Sequence, residues 1–298
     1  MATKVLLTGA SGMLGKMILK ELNVQEKYEV FTVSRTELEI SDNHFINDIG
    51  DQNQLIHVLR SCQPEIVINC AAYVNLNFCE KNHNETMLLH QHAVSILSSY
   101  ASVQSLYYIS TDSVFDGQRG NYEEGDVVNP LNYYALSKLR GESEACKNAK
   151  NSFIIRTNIF GFNSTTGNSL FEWAYQNLST GNNINGFTNV YFNPLYVGDL
   201  SKMIISFMQM NCSAGIYNFA SNQYISKYTF LFKIAEVFGF NTELIRPIPL
   251  DVSQITSIRP LNTTLNTNKI NNLGINVPNI DICIENLYND FKKNVARV

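Results

Sequence analysis

Tyr134 and Lys138 stand four residues apart in a stretch that predicts the first turns of a helix. At that spacing both side chains lie on one helical face, one turn apart. A free tyrosine titrates near pH ~10, and a neighbouring ammonium favours the phenolate and lowers that pKa toward neutral pH. Thr111 follows the apolar run 106–110 and could direct a third hydroxyl to the same point. The three residues predict a catalytic site that moves a proton onto or off a carbonyl oxygen.

This spacing is not specific by itself. The chain contains 15 tyrosines, and Tyr288 and Lys292 form a second pair at the same distance. That pair lies in an amphipathic pattern near the C-terminus with no strand leading into it, so we interpret it as a packed ring beside a solvated charge. The elements that surround Tyr134 must therefore decide whether it is catalytic.

A glycine-rich turn follows the first apolar run, 5–8, and leads into an amphipathic helix. Three glycines at this spacing permit a tight turn, close approach of the backbone to a phosphate, and close packing of helix on strand. With a strand before it and a helix after it, the turn predicts a dinucleotide site whose pyrophosphate lies at the start of the helix. The predicted contacts from this turn are Gly9, Ser11, Gly12, Met13, Leu14 and Gly15.

Arg35 follows the second predicted strand, 28–33, and lies 20 residues beyond Gly15. An arginine at this distance suits the 2′-phosphate of NADP(H), whereas an acidic residue would bind the ribose hydroxyls of NAD(H). We therefore expect NADP(H) to be preferred, with NAD(H) as an alternative because Glu37 and Glu39 lie nearby. The remaining predicted cofactor contacts are Ser34, Arg35, Asp48, Ile49, Cys70, Ala71, Ala72, Tyr73, Tyr134 and Lys138.

Strands alternate with helices over the first half of the chain. This rhythm predicts an α/β fold of the Rossmann type, a doubly wound parallel sheet with helices on both faces and a smaller C-terminal lobe that binds substrate. Ligands of such sheets bind at the carboxyl ends of the strands, where the residues named above would meet. The expected strands are 5–8, 28–33, 45–49, 65–69, 106–110 and 153–156, and the expected helices include 51–62 and 84–103. The expected domains are 1–160, with a return segment at about 190–220, and a lobe formed by 161–189 and 221–298.

Composition narrows the classes of partner. The net charge is −4 and no basic run is present, which argues against nucleic acid and against an anionic membrane surface. No apolar stretch reaches the ~20 residues that a membrane helix needs. The six cysteines show no metal-ligand spacing, so we expect reduced thiols, a cytoplasmic protein and no metal. The low fraction of charged residues, 16%, suggests that a second copy of the chain covers part of the surface, as in a homodimer.

Several segments together resemble the extended short-chain dehydrogenase/reductase family, over nearly the whole chain. Within it the chain is most similar to the branch of dTDP-4-dehydrorhamnose reductases, which use NAD(P)H to reduce the 4-keto group of a nucleotide-linked 6-deoxy sugar. On this resemblance Tyr134 donates the proton, Lys138 lowers the tyrosine pKa and holds the nicotinamide ribose, and Thr111 binds the substrate oxygen. The matching segments are TGASGMLG at 8–15, NCAAY at 69–73, STDSVFDG at 110–117, NPLNYYALSKLRGE at 129–142, RTNIFG at 156–161, NPLYVGDL at 193–200 and RPLNTTLNTNKI at 259–270.

The same resemblance implies a nucleotide-sugar substrate, with departures that bear on which sugar. Ser113 replaces a tyrosine and Ile159 replaces a tryptophan of the family pattern, so the predicted pocket has less aromatic surface. A different deoxysugar, or a UDP or GDP carrier, is therefore open. His90 replaces an asparagine that supports the site in relatives, and we interpret it as a packed residue without chemistry. The predicted substrate contacts are Asn75, Asp112, Ser113, Asn158 and Arg259.

Other functions of the same fold are alternatives. A 4,6-dehydratase needs an acid after Asp112, and Ser113 is not one. An NAD-dependent nucleotide-sugar epimerase remains an alternative. A non-catalytic subunit that binds a dinucleotide, resembling the regulatory subunit of methionine adenosyltransferase, is another, although the intact Thr111, Tyr134 and Lys138 argue against it.

Overall fold

A computed structural model describes residues 2–38, 43–163, 167, 169–251 and 259–295. Short apolar runs form the strands, as expected of strands that are buried on both faces. In chain order the strands are β1 (Thr3–Thr8), β2 (Tyr28–Ser34), β3 (His44–Ile46), β4 (Ile66–Asn69), β5 (Ser105–Ile109), β6 (Asn151–Thr157), β7 (Ile159–Phe160), β8 (Ile184–Phe187), β9 (Tyr191–Phe192), β10 (Leu195–Tyr196), β11 (Gly215–Phe219), β12 (Ile225–Ser226) and β13 (Ile245–Ile248).

Amphipathic segments between these strands form the helices. A π-helical turn (Leu88–His92) and two short 3-10 turns (Asp112–Val114 and Thr242–Leu244) accompany them. In chain order the α-helices are α1 (Met13–Asn23), α2 (Gln52–Cys62), α3 (Leu76–Lys81), α4 (His83–Met87), α5 (Ala93–Ser99), α6 (Tyr133–Asn148), α7 (Leu170–Ser179), α8 (Val197–Met208), α9 (Lys227–Phe238), α10 (Asn268–Asn272) and α11 (Ile280–Val295).

In the described part of the chain, seven strands form one sheet in the order β11-β6-β5-β4-β1-β2-β3, and every neighbouring pair is parallel. Successive residues of β1 point to opposite faces, since Leu6 packs in one hydrophobic cluster and Leu7 in the other. The first cluster lies under α2 and α5, and the second lies under α1 and α8. The predicted doubly wound α/β fold is confirmed.

The C-terminal lobe continues one of these clusters. Phe171 of α7, Phe230 of α9 and Phe291 of α11 belong to the same hydrophobic cluster as Leu7 of the central sheet. Two small sheets, β8 with β13 and β9 with β12, complete the lobe. The lobe and the sheet therefore share a core, which fixes the lobe over the carboxyl ends of the strands.

Two predicted elements differ from the structure. The third strand was expected at 45–49 but ends at Ile46, because Asp48 and Gly50 form a turn in which the Asp48 carboxylate accepts the Gly50 N–H at 2.8 Å. The helix expected at 84–103 consists of α4, the π-helical turn and α5, and it ends at Ser99.

None of the helices in the described part of the chain has both the length and the apolar character needed to span a bilayer. Within the same residues, no group of three or more His, Cys, Asp or Glu side chains is arranged to hold a metal ion. The six cysteines are free thiols.

Candidate active site

The glycine turn after β1 is shaped by two contacts of the backbone with itself. Gly9 has φ +66°, and a Cβ there would lie 2.7 Å from the amide nitrogen of Ala71. A Cβ on Gly15 would lie 2.2 Å from the carbonyl oxygen of Gly9. These two glycines are therefore required for the turn to form at all.

Gly12 is different, because its only close neighbour would be the Gly9 carbonyl oxygen at 3.3 Å. It is exposed, and it precedes α1, whose first turn has no side-chain cap and no acidic residue. Unpaired N–H groups at a helix start bind anions well. The residues present thus fit a dinucleotide pyrophosphate. Ser11 and Met13 border this opening, while Leu14 is 5% exposed and can offer only its backbone.

Arg35 lies exposed just beyond β2 and reaches toward Tyr73, which follows β4. Its guanidinium is 5.4 Å from the centre of the Tyr73 ring, and Nη1 is 3.5 Å from the phenol oxygen. The two predicted cofactor residues therefore meet, although they are 38 residues apart. Together they form a cationic and aromatic rim that suits the adenosine end of a dinucleotide.

The other residues predicted for this end are held by local contacts. Ser34 is 6% exposed, and its hydroxyl donates to the Thr36 carbonyl oxygen at 2.6 Å. Asp48 accepts from Gly50, and Ile49 is 5% exposed. Glu37 is exposed, and Glu39 lies outside the described residues.

The end of β4 approaches the glycine turn through small residues. The Ala71 N–H donates to Oδ1 of Asn69 at 3.2 Å, and Thr8 donates to the same oxygen at 2.6 Å. Burial raises the pKa of the Cys70 thiol to about 12, so this cysteine is neutral at physiological pH. Ala72 follows, half-buried. The segment brings backbone and small side chains, without charge, beside the predicted nicotinamide site.

Thr111, Tyr134 and Lys138 come together where β5 ends and α6 begins. Thr111 is 5% exposed and caps the 3-10 turn that follows, because its Oγ1 accepts the Ser113 N–H at 3.1 Å. Tyr134 lies in the first turn of α6, which Asn132 caps by accepting the Ala135 N–H at 2.9 Å. The turn and the helix thus bring the two hydroxyls within hydrogen-bonding distance of each other.

The Lys138 ammonium points toward β5. It is 2% exposed, it donates to the Ile109 carbonyl oxygen at 2.6 Å, and it lies 4.1 Å from the centre of the Tyr108 ring. Burial lowers the pKa of Lys138 to about 7, and Glu142 opposes that shift.

The pKa of Tyr134 is raised, which is opposite to the predicted direction. Burial is the largest cause, and the hydrogen bond with Thr111 opposes it. The Lys138 ammonium does not lower the pKa because it is directed at the Ile109 carbonyl rather than at the phenol. The tyrosine is therefore held in its protonated form, as a proton donor requires.

His90 links the segment after β4 to helix α6, a connection that the sequence analysis did not foresee. It is 1% exposed in the π-helical turn, and its Nε2 is 2.8 Å from the Tyr73 N–H. A backbone N–H can only donate, so Nε2 accepts and the proton is on Nδ1. Nδ1 donates to Ser137 Oγ at 2.7 Å, and Ser137 donates to the Tyr134 carbonyl oxygen at 2.7 Å.

This chain of hydrogen bonds requires a neutral histidine. Burial, assisted by Lys138, lowers the pKa of His90 to about 2. Our interpretation of His90 as a merely packed residue was too narrow, because it overlooked that a π-helical turn, a feature frequent at functional sites, presents the ring to both segments.

A buried ion pair anchors α6 to the central sheet. Arg156 of β6 contacts Glu142 through two hydrogen bonds, of 3.1 and 2.7 Å, and the Ser110 hydroxyl donates to the same carboxylate at 2.5 Å. Both charged side chains are less than 5% exposed. This arrangement fixes the position of α6, and with it Tyr134, relative to the end of β5.

A cavity of 630 Å³ opens beside Thr111, between the sheet and the C-terminal lobe. Four of the five predicted substrate residues line it: Asp112, Ser113, Asn158 and Arg259. Asn75 does not, because its side chain caps α3 by accepting the Phe78 N–H at 3.0 Å, and its neighbours Val74 and Leu76 line the cavity instead.

The cavity also contains residues that sequence reasoning missed. Lys227, the first residue of α9, and Trp173 of α7 both line it. No motif marks either residue, and both come from the lobe whose pattern was least regular. Trp173 is the only tryptophan in the chain, and Lys227 lies in a different helix. No regular spacing in the sequence connects the two residues.

Comparison with known proteins shows which family this chain is similar to. Residues 3–292 match the family described as RmlD substrate binding domain. The dTDP-4-dehydrorhamnose reductase of Aggregatibacter actinomycetemcomitans is 27% identical over 283 residues, 90% of this chain and 92% of that protein. The methionine adenosyltransferase 2 subunit beta of Danio rerio is 27% identical over 281 residues, 92% of this chain and 86% of that protein.

Among solved structures, the dTDP-4-dehydrorhamnose reductase of Bacillus anthracis, in complex with NADP, superposes with a TM-score of 0.86 at 26% identity. The match covers 97% of this chain and 100% of that one. The family match extends over nearly all of the present chain and includes the glycine turn, the segment from Thr111 to Lys138 and the C-terminal lobe. The chain therefore belongs to the RmlD substrate binding domain family.

Proposed function

We propose that this protein is an NAD(P)H-dependent reductase of a nucleotide-linked 4-keto-6-deoxy sugar, acting in the synthesis of a polysaccharide precursor. The observation that carries the proposal is that three features lie close together at one edge of the sheet. These are the open glycine turn, the buried Thr111 and Lys138 with the half-buried Tyr134, and the polar cavity beside them. Its similarity to the reductases named above supports the same conclusion.

Each catalytic side chain has a role that its surroundings support. NAD(P)H, when bound at the glycine turn, supplies hydride for the carbonyl carbon. Thr111 donates a hydrogen bond to the carbonyl oxygen, and Tyr134, kept protonated by burial, transfers its proton to that oxygen. Lys138, with a pKa near 7, holds the nicotinamide ribose.

NADP(H) is the preferred cofactor in this proposal. Arg35 is exposed beside the aromatic ring of Tyr73, so its guanidinium can pair with a 2′-phosphate. NAD(H) stays the alternative, because the exposed Glu37 could accept hydrogen bonds from ribose hydroxyls.

The test is oxidation of NADPH by the purified protein in the presence of dTDP-, UDP- and GDP-linked 4-keto-6-deoxy sugars. We expect turnover with at least one of them, and a loss of about 100-fold or more in kcat for Tyr134→Phe. Tyr133→Phe is the matched control, because the Tyr133 ring stacks on His83, with centroids 3.6 Å apart, and does not take part in the proton transfer. Unchanged turnover by Tyr134→Phe would contradict the assigned proton donor.

A non-catalytic regulatory subunit is the second candidate, and the likeness to methionine adenosyltransferase 2 subunit beta is the observation that favours it. The intact Thr111, Tyr134 and Lys138 favour the reductase. NADPH binding without turnover on the whole panel of sugars, together with binding to an adenosyltransferase catalytic subunit, would favour the regulatory subunit. An epimerase would convert a nucleotide sugar without net consumption of NADPH.

The homodimer and the cytoplasmic location stay predictions. The free thiols support a reducing compartment. Sedimentation at several protein concentrations measures the oligomeric state directly.

A further inference from the structure

Lys227 places a cation in the substrate cavity for which the proposed catalytic steps give no role. Its ammonium lies 3.3 Å from the centre of the Phe192 ring, on a β-strand that forms one wall. Among the residues that the structure describes, the ammonium has no ion pair within 4.0 Å and no hydrogen bond to a side chain. The cation therefore faces the cavity with an aromatic ring as its contact.

Asp112 is the nearest candidate to neutralise this charge, and its oxygens are already occupied. Oδ2 accepts from Asn158 at 2.7 Å and from the Thr263 hydroxyl, and Oδ1 accepts from Thr111 at 3.2 Å and from Ser113 at 3.3 Å. The carboxylate attracts Lys227 only from a distance. Its position is explained by these four neutral donors, so Lys227 is not needed to satisfy it.

A second cation faces the same space. Arg259 lines the cavity and acts on Lys227 as a like charge. Burial, together with this repulsion, lowers the pKa of Lys227 to about 7, with Asp112 opposing the shift. Two cations that converge on one cavity repel each other unless an anion binds between them. The described walls supply one carboxylate, so the cavity favours a ligand with more than one negative charge.

The lining of the cavity offers a contact for each group of a nucleotide sugar. Asp112 and Asn158 mark the end beside the catalytic threonine, where the sugar belongs. At the other end Trp173 and Phe187 line both this cavity and an adjoining one of 500 Å³, which offers aromatic surface for a base. Lys227 lies on the wall formed with Phe192 and within electrostatic range of Asp112.

We propose that Lys227, together with Arg259, binds the diphosphate of the nucleotide-sugar substrate. This inference rests on the proposed function and adds the residue that recognises the diphosphate link between sugar and nucleoside. A charge-assisted hydrogen bond to a phosphate oxygen is among the stronger single contacts of a binding site. Removing it should weaken binding by about 10- to 100-fold. Because the contact is made equally to substrate and to the reacting state, it should change KM rather than kcat.

The experiment measures binding of dTDP, UDP and GDP to the NADPH-saturated protein by isothermal titration calorimetry. Lys227→Met keeps nearly the length and the apolar character of the lysine stem but removes the charge, and Lys227→Arg keeps the charge. Lys233→Met, on the same helix but paired with Asp281 at 2.6 Å, is the matched control. NADPH titration of every variant reports whether the fold and the cofactor site are intact.

We expect the tightest-binding nucleoside diphosphate to bind Lys227→Met about 10- to 100-fold more weakly, with Lys227→Arg and Lys233→Met within about threefold of the wild type. Turnover assays should show the matching rise in KM with kcat nearly unchanged. If the wild type reduces a nucleotide-linked 4-keto sugar and Lys227→Met binds the diphosphate normally, the role of Lys227 is refuted while the reductase stands. If no nucleoside diphosphate binds to the wild type, both proposals fail.

Discussion

His90→Phe isolates the contribution of the two ring nitrogens of His90, because phenylalanine fills nearly the same space in the π-helical turn. The substitution removes the acceptor of the Tyr73 N–H and the donor to Ser137, at 2.8 and 2.7 Å. Since the ring volume is kept, the effect of a cavity is small. The variant therefore tests whether this hydrogen-bond chain holds the cofactor segment against α6.

The expected cost follows from those two contacts. Leaving a buried backbone N–H without an acceptor costs about 1–3 kcal/mol, and losing an ordinary hydrogen bond costs about 1 kcal/mol. We therefore expect the free energy of unfolding to fall by about 2–4 kcal/mol. The Tyr73 segment borders Ala71 and the glycine turn, so the KM for NADPH should also rise, by about three- to tenfold for a loss of roughly 1 kcal/mol in cofactor binding.

Urea denaturation followed by circular dichroism measures the first effect, and initial rates at varied NADPH measure the second. His92→Phe is the matched control, because His92 lies in the same turn but is exposed. If His90→Phe unfolds within about 0.5 kcal/mol of the control, the two hydrogen bonds do not stabilise the site, since ordinary hydrogen bonds contribute more than that.

The pH dependence of stability gives an independent check on the same residue. The pKa of His90 is about 2 in the folded protein and near 6.5 in the unfolded chain, so below pH 6.5 only the unfolded chain gains the proton. Stability from this residue is complete above pH 6.5 and decreases by about 1.4 kcal/mol per pH unit below it. Compared with His90→Phe, the wild type should lose about 2 kcal/mol more between pH 6.5 and pH 5.0.

Four further substitutions test the remaining parts of the site. Gly12→Ala should weaken NADPH binding about tenfold or more with little change in stability. Gly15→Ala should lower the free energy of unfolding by about 3 kcal/mol or more, because its Cβ would meet the backbone at 2.2 Å. Calorimetric titration of NADPH measures the first effect, and urea unfolding measures the second. Arg35→Ala should raise the KM for NADPH about 10- to 100-fold and leave the KM for NADH nearly unchanged, and equal changes for both cofactors would contradict a 2′-phosphate contact. Glu142→Gln should cost about 3–5 kcal/mol in urea unfolding, because it leaves a buried guanidinium unpaired, and a cost under about 1 kcal/mol would show that the pair does not hold α6.

The sheet could be predicted because its determinants are local. Runs such as 5–8 and 65–69 are apolar, short and bounded by turn residues, and parallel pairing follows from the helices between them. The glycine turn and the first turn of α6 were recognisable for the same reason. Each carries its chemistry within a few consecutive residues.

The features of the site that could not be predicted from the sequence depend on contacts between distant segments. The direction of the Lys138 ammonium is decided by the Ile109 carbonyl, 29 residues away. Asn75 was expected to bind substrate, but the α3 backbone competes for its side chain. Lys227 reaches the cavity only because the lobe folds back over the sheet, and no spacing within α9 signals this.

The π-helical turn also has a consequence for deletions in this region. The Ala93 N–H bonds to the Leu88 carbonyl, so the turn contains one residue more than an α-helix would need. Each residue turns an α-helix by about 100°. Loss of a single codon within 88–92 would restore a regular helix and carry the imidazole away from Tyr73 and Ser137, while α5 kept its packing. A one-residue gap in a relative's sequence at this point therefore indicates a different connection between the Tyr73 segment and α6, even where Thr111, Tyr134 and Lys138 are all retained.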